Sequence, residues 1–96
     1  MDINEYREKI DRIDDCIVKL FCDRMHVSAD IARYKQSMGI AIRVPEREDV
    51  KMADVAGKTD DDLREYAKAL YSTIIDASCA YQEKIITETE NKTSPL

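Results

Sequence analysis

The chain is 96 residues long and carries a formal net charge of −5, and 44% of its residues are hydrophobic and 36% are charged. These proportions are typical of one soluble, helix-rich domain, which at this length buries only a modest fraction of its own surface. The acidic balance excludes nucleic acid as the expected partner, since phosphate binding requires a basic face, and no apolar run approaches the roughly 20 residues of a membrane span.

The cysteines and the amino terminus indicate the cellular compartment. Cys16, Cys22 and Cys79 are odd in number and lack the paired spacings of zinc sites or disulfide frameworks, so we expect reduced thiols and no metal. Asp2, Glu5 and Arg7 lie within the first turns of the chain, so we expect no secretory signal there. We therefore expect a cytoplasmic protein.

The first predicted element is one long amphipathic helix over residues 2–38, followed by Gly39, a usual residue just past a helix end. Its apolar residues recur in alternating steps of three and four, the period of a helix that packs one stripe against partner helices. We call this stripe the helix-1 seam. Its members are Ile3, Tyr6, Ile10, Ile13, Ile17, Leu20, Arg24, Val27, Ile31 and Tyr34. Arg24 is the one charged member.

The predicted helix is too long for a compact monomer. At about 1.5 Å per residue it spans on the order of 50 Å, more than a compact domain of this size covers. Either the helix bends or a second chain lies along it, and the unbroken seam favours a second chain.

Three cations on this helix are candidates for binding an anion. Arg24 and Lys35 are eleven residues apart, so they lie within roughly 20° of each other on one face. Arg24 either pairs with a buried carboxylate or binds an anion, because an unpaired buried guanidinium is costly. Arg7 lies roughly 26 Å along the axis from Arg24, so it reaches the same ligand only from the antiparallel or crossed helix of a second chain. Taken alone, Arg7 and Lys35 are also consistent with solvated surface residues.

A second helix is predicted over residues 45–56, after a short link. Pro45 is a favourable first helical residue, and Gly57 marks the expected end. Arg47 and Glu48 lie in the first turn of this helix. In isolation they are ordinary surface charges.

A third helix is predicted to begin at a cap formed by Thr59 or Asp60 and to end near Thr87. Its apolar stripe consists of Leu63, Tyr66, Leu70, Ile74, Ala77, Tyr81 and Ile85. The polar residues after it lack periodicity. We therefore predict a folded domain over residues 1–88 and a frayed, disordered tail over residues 89–96.

Two neutral polar residues, Ser78 and Gln82, are four apart on the third helix and share one face beside its apolar stripe. Hydrogen-bonding groups next to a core are consistent with a ligand pocket. They are equally consistent with an ordinary boundary between core and surface.

Taken together, these positions resemble the all-helical class of chorismate mutases over residues 3–86. The matching stretches are Tyr-Arg-Glu-Lys-Ile-Asp-Arg-Ile-Asp at 6–14, Arg24, Ile-Ala-Arg-Tyr-Lys at 31–35, Pro-Glu-Arg-Glu at 45–48, and Ser78 with Gln82. Each stretch is weak alone, but the spacing of the seven functional positions is specific. The resemblance implies an all-α fold with three helices per chain, assembled as an intertwined homodimer with two equivalent active sites.

The resemblance also implies an isomerase that rearranges chorismate to prephenate, in the shikimate pathway to phenylalanine and tyrosine. The rearrangement is pericyclic, so no cofactor, metal or nucleophile is implied. The enzyme must hold a dianion in a compact conformer and stabilise the negative charge that grows on the ether oxygen.

The roles implied for the cations and the amide concern the charged groups of the substrate. Arg24 and Arg7 of the partner subunit would hold the two carboxylates, because guanidinium groups bind carboxylates through two parallel hydrogen bonds. Lys35 and Gln82 would donate to the ether oxygen, and Lys35 would also touch a carboxylate. Arg24, Lys35 and Gln82 are thus the implied catalytic residues.

The remaining implied roles concern orientation of the substrate. Glu48 would accept a hydrogen bond from the ring hydroxyl, Ser78 would bind a carboxylate, and Arg47 would help to close the pocket. The sequence departs from the family at Val44, where some members carry an aspartate near this arginine. Without that aspartate, one polar group that would help to position Arg47 is missing.

Two alternatives remain open at the level of sequence. An isochorismate-pyruvate lyase shares this fold and several of these cations, and incubation with each substrate would distinguish the two enzymes by their products. A non-catalytic helical dimerisation or regulatory module would instead have polar seam residues without a ligand.

Overall fold

A computed structural model describes the backbone of residues 2–93 and the side chains of residues 2–91. Within those bounds the chain is all-helical, with α1 at Ile3–Met38, α2 at Pro45–Lys58, a 3-10 turn at Asp61–Leu63 and α3 at Arg64–Thr93. The predicted all-α class and the three helices are confirmed. No helix in this part of the chain has both the length and the apolar character needed to cross a bilayer.

The ends of α1 agree with the prediction for residues 2–38. Asp2 caps the helix, since its carboxylate accepts a hydrogen bond from the Glu5 amide at 3.0 Å. Gly39 has a left-handed φ of 68°, and the amide of Ile40 donates to the Lys35 carbonyl at 2.9 Å. Both ends are therefore determined by local chemistry.

The end of α2 differs from the prediction, because the helix continues through Gly57 to Lys58. Its last carbonyl groups are satisfied by side chains beyond the helix. The Thr59 hydroxyl donates to the Val55 carbonyl at 2.6 Å, and Arg64 Nε donates to the Ala56 carbonyl at 2.9 Å. These two side-chain donors remove the need for a glycine stop.

The bounds of α3 also differ from the prediction. Asp60 precedes the 3-10 turn rather than the α-helix itself. The predicted end near Thr87 is wrong by six residues, because α3 runs to Thr93. Loss of apolar periodicity does not stop a helix that is already formed, since extending it costs far less than nucleating it. The division between a domain at residues 1–88 and a tail stays a prediction, and residues 94–96 lie outside the described residues.

The core lies where α3 packs against both α2 and the C-terminal half of α1. Its buried apolar residues are small or medium in size: Ala29, Ala32, Val55, Ile75 and Cys79. The helix-1 seam is largely uncovered. All nine of its apolar members are at least 41% exposed, and the chain measures 63 × 29 × 15 Å.

Candidate active site

A cavity of about 480 Å³ lies at the meeting point of the three helices. Apolar side chains form much of its wall, including Val44 and Ile42 from the loop at residues 39–44. Six of the seven predicted site residues also line it: Arg24, Lys35, Arg47, Glu48, Ser78 and Gln82. Arg7 is not among them, since it lies seventeen residues before Arg24 on the same straight helix, roughly 26 Å away.

The two cations from α1 differ in their contacts. Lys35 is half-buried, and its ammonium donates to the Ile42 carbonyl at 2.5 Å, which ties the end of α1 to the loop. Arg24 is also half-buried, yet it has no hydrogen bond or ion pair with any described residue. A carboxylate partner for Arg24, one of the two sequence interpretations, is therefore absent from the described part of the chain. Its guanidinium is available for an external anion.

Arg47 and Glu48 lie in the first turn of α2, where Pro45 begins the helix. Arg47 has no ion pair with the described residues, whereas Glu48 is held by Arg43 from the preceding loop. Arg43 Nη2 lies 2.8 Å from Glu48 Oε1 and 2.9 Å from Asp76 Oδ1 on α3. The hydrogen bond from Arg43 lowers the pKa of Glu48 below its ordinary value, against the opposing effect of burial. Glu48 is thus a carboxylate at neutral pH.

The polar residues from α3 are deeply buried. Ser78 is 6% exposed and Gln82 5% exposed, and both lie one turn apart on the face that lines the cavity. The Ser78 hydroxyl is hydrogen-bonded to the Ser28 hydroxyl of α1. Gln82 Oε1 is buried without a hydrogen-bond partner among the described groups. Burying an unpaired amide oxygen is costly, so this carboxamide is poised to bind a ligand.

Burial also affects Cys79, which lies next to Ser78 and lines the same cavity. It raises the pKa of the Cys79 thiol above its ordinary value. Cys79 therefore contributes a neutral, weakly polar surface to the wall.

Sequence reasoning missed several polar residues of this region, among them Ser28, Arg43 and Lys51. Ser28 follows Arg24 by four residues and Lys51 follows Arg47 by four, so a helical wheel drawn from either arginine would have found them. Arg43 gives no such signal. It lies in a loop, and its partner Asp76 is 33 residues away in the sequence.

The chemistry of this cavity suits a small organic dianion, because unpaired guanidinium groups and an ammonium face apolar walls and a buried amide. A family model described as chorismate mutase type II matches residues 6–83. The chain belongs to this family. The matched stretch includes all seven predicted site residues, and the predicted resemblance is confirmed.

A curated chorismate mutase of Methanocaldococcus jannaschii is similar to this chain. The two are 31% identical over 93 residues, which cover 92% of this chain and 91% of the relative. No solved structure gives a significant match. Membership of the chorismate mutase family supports an isomerase as the enzyme class.

Proposed function

We propose that this chain rearranges chorismate to prephenate within the cavity between its three helices. The observation that carries the proposal is that Arg24, half-buried and without a partner among the described residues, shares this cavity with Lys35 and the unpaired amide oxygen of Gln82. The reaction breaks one carbon–oxygen bond and forms one carbon–carbon bond within a single molecule. The task for the protein is therefore to hold the reactive conformer and to stabilise charge.

Arg24 binds one carboxylate of the substrate through two parallel hydrogen bonds, which fixes the orientation of the carboxylate as well as balancing its charge. Lys35 and Gln82 stabilise the negative charge that develops on the ether oxygen. An ammonium has three donors, so Lys35 keeps its bond to the Ile42 carbonyl and has two left for the ether oxygen and a carboxylate. Gln82 donates through its amide nitrogen, since an ether oxygen can only accept.

The other polar groups orient the ring and the second carboxylate. Glu48 accepts a hydrogen bond from the ring hydroxyl, a role that its lowered pKa supports because an ionised carboxylate only accepts. The Ser78 hydroxyl donates a hydrogen bond to a carboxylate while it accepts a hydrogen bond from the Ser28 hydroxyl. Arg47 has no partner among the described residues that would prevent it from closing the cavity over the substrate.

We also propose that the enzyme is an intertwined homodimer in which Arg7 of the partner subunit completes each site. The exposed helix-1 seam supports a second chain, because each of its apolar members is at least 41% exposed and the described residues cover little of it. The distance from Arg7 to Arg24, roughly 26 Å along one helix, supports a contribution across the interface. The free state of all three cysteines accords with a cytoplasmic location, which is the final part of the proposal.

Replacing Lys35 tests the assignment of the reaction and of the site. We expect Lys35→Ala to remain folded by circular dichroism and to lose roughly a hundred- to a thousandfold in kcat, as when a donor to a developing oxyanion is removed. Lys19→Ala is the matched control, since Lys19 lies on the same helix and forms only an exposed ion pair with Asp23 at 2.9 Å. Turnover of chorismate is followed by the appearance of prephenate.

Two outcomes would contradict this proposal. Near-normal turnover by folded Lys35→Ala would remove Lys35 from the site. Formation of salicylate and pyruvate from isochorismate, with no prephenate from chorismate, would instead identify a lyase on the same fold.

A further inference from the structure

A chain of ion pairs joins three parts of the fold beside the cavity. Arg43, in the loop after α1, contacts Glu48 on α2 and Asp76 on α3. We propose that Arg43 and Asp76 are positioning residues that fix the place and the charge of the Glu48 carboxylate. This inference rests on the proposed function, in which Glu48 accepts a hydrogen bond from the substrate.

The geometry restrains Glu48 at both of its oxygen atoms. Arg43 Nη2 donates to Oε1 at 2.8 Å and Arg43 Nε donates to Oε2 at 3.3 Å, so the carboxylate lies against the fork of the guanidinium. Each carboxylate oxygen keeps a further lone pair, so Glu48 still has acceptor capacity toward the cavity that it lines. The Arg43 contact therefore orients Glu48 without blocking it.

Asp76 anchors the arginine itself. Its Oδ1 accepts from the same Nη2 atom at 2.9 Å, which links the loop to α3. Without this second anchor, the long side chain of Arg43 gains rotamers that no longer meet Glu48. Asp76 thus acts on Glu48 through Arg43.

The charges around Glu48 come from every element packed near it. Arg43 in the loop and Lys35 on α1 favour its ionised form, whereas Asp76 on α3 disfavours it. Cys79 on α3 also interacts electrostatically with Glu48, and burial keeps its thiol neutral by raising its pKa. Arg47 and Lys51 on α2 and Tyr71 on α3 line the same cavity as Glu48. Arg43 is the largest favourable influence in this set.

The arrangement is better suited to positioning than to stability. The side chains of Arg43 and Asp76 are 48% and 64% exposed, and ion pairs at such exposure contribute little to folding. The Glu48 side chain is 26% exposed and lines the cavity. The consequence of losing Arg43 should therefore appear at the site before it appears in the fold.

The test measures Glu48 directly and the reaction separately. The carboxyl carbon of Glu48 is titrated by NMR in the full-length protein, with its signal assigned by Glu48→Gln. Arg43→Gln should raise the pKa of Glu48 toward its ordinary value, and Arg43→Lys should restore part of the difference by keeping the charge. Arg33→Gln is the matched control, because Arg33 forms only an exposed ion pair with Asp30.

The kinetic arm follows kcat and KM for chorismate across pH. For Arg43→Gln we expect kcat/KM at neutral pH to fall roughly ten- to a hundredfold, through misplacement of a substrate-contacting group, and its acid limb to move to higher pH. Asp76→Asn should also lower kcat/KM, whereas its two effects on the pKa of Glu48 oppose each other, since loss of the Asp76 charge favours ionisation and a loosened Arg43 disfavours it. Arg33→Gln should change neither quantity.

The outcomes separate this inference from the proposed function. An unchanged Glu48 pKa in Arg43→Gln, or unchanged kcat/KM in both Arg43→Gln and Asp76→Asn, would overturn it. A lower melting temperature with an unshifted Glu48 pKa would mean a structural role only, which also overturns it. If the unaltered enzyme made no prephenate, the proposed function would fail, while the NMR titration would still decide whether Arg43 sets the charge of Glu48.

Discussion

Lys51 is a further cation of the cavity that no assigned role explains. It lies one turn beyond Arg47 on α2, its side chain is 32% exposed, and its nearest acid is Asp54 at 3.7 Å, beyond hydrogen-bond distance. A cation held this loosely beside an anion site attracts a dianion in the ground state and the transition state alike. Such uniform binding lowers KM without changing kcat.

We therefore expect Lys51→Gln to raise KM for chorismate about fivefold, or about 1 kcal/mol, with kcat unchanged. Lys58→Gln is the matched control, because Lys58 pairs with the same Asp54 at 3.0 Å but does not line the cavity. Steady-state kinetics at low and high salt check the prediction, since screening should reduce the difference. An equal rise in KM for both variants would show that the effect passes through Asp54.

Single residues of the site differ in how far the sequence could predict them. Arg24 and Lys35 were found by helical spacing, and Ser78 and Gln82 gained meaning only from the family resemblance. Ser28 and Lys51 each follow a predicted arginine by four residues, a spacing that places them on the same helix face. Arg43 and Asp76 could not be paired in advance, because their contact depends on how the loop packs against α3.

At the scale of the helices, the ends that the sequence predicted are those determined by nearby residues. The cap at Asp2 and the left-handed Gly39 are local features, and the predicted bounds of residues 2–38 agree with them. The end of α2 was not, because Arg64 reaches back from α3 to bind the Ala56 carbonyl. Gly57, which predicts the end of the helix, lies inside it.

Replacing each of the two glycines by alanine should therefore have opposite effects on the stability of the fold. A Cβ atom at either position would meet no atom within 4 Å, so only backbone conformation distinguishes them. Gly39→Ala should destabilise the fold by about 1 kcal/mol, because its φ of 68° is unfavourable for a residue with a side chain. Gly57→Ala should stabilise it by about 0.5–1 kcal/mol, since glycine is a poor residue within a helix.

Urea unfolding of both variants at one protein concentration measures these differences. Prephenate formation by Gly57→Ala serves as the control for an intact site, as Gly57 does not line the cavity. A loss of stability in Gly57→Ala would mean that the end of α2 requires glycine after all.

At the scale of the whole molecule, the arrangement of hydrophobic residues argues for a second chain. The N-terminal half of α1 carries seam residues such as Ile13 and Ile17, each 57% exposed, and Leu63 in the 3-10 turn and Leu70 on α3 are also exposed. Large contiguous apolar surface of this kind is rarely left in water. The sequence could predict this need from the seam and the helix length, but the register of two chains depends on contacts that a single chain does not contain.

A heterodimer of two inactive variants tests where Arg7 acts. We expect Arg7→Ala and Lys35→Ala to be inactive as homodimers, because each removes one group from both sites. If Arg7 crosses the interface, a heterodimer with one chain of each kind has one site lacking both groups and one site that is complete. Purified through two different affinity tags, it should show about half the activity of the unaltered dimer, since one of two equivalent sites is intact.

The same heterodimer is inactive if Arg7 serves its own chain, because every site then lacks either Arg7 or Lys35. Sedimentation of each preparation measures whether two chains are present, so that missing activity is not mistaken for missing assembly. Whether the heterodimer is active therefore depends only on which chain supplies Arg7 to the cavity that contains Arg24. Recovery of activity would place the N-terminal half of α1 against the cavity of the other chain, which is the use of the exposed seam that the intertwined dimer requires.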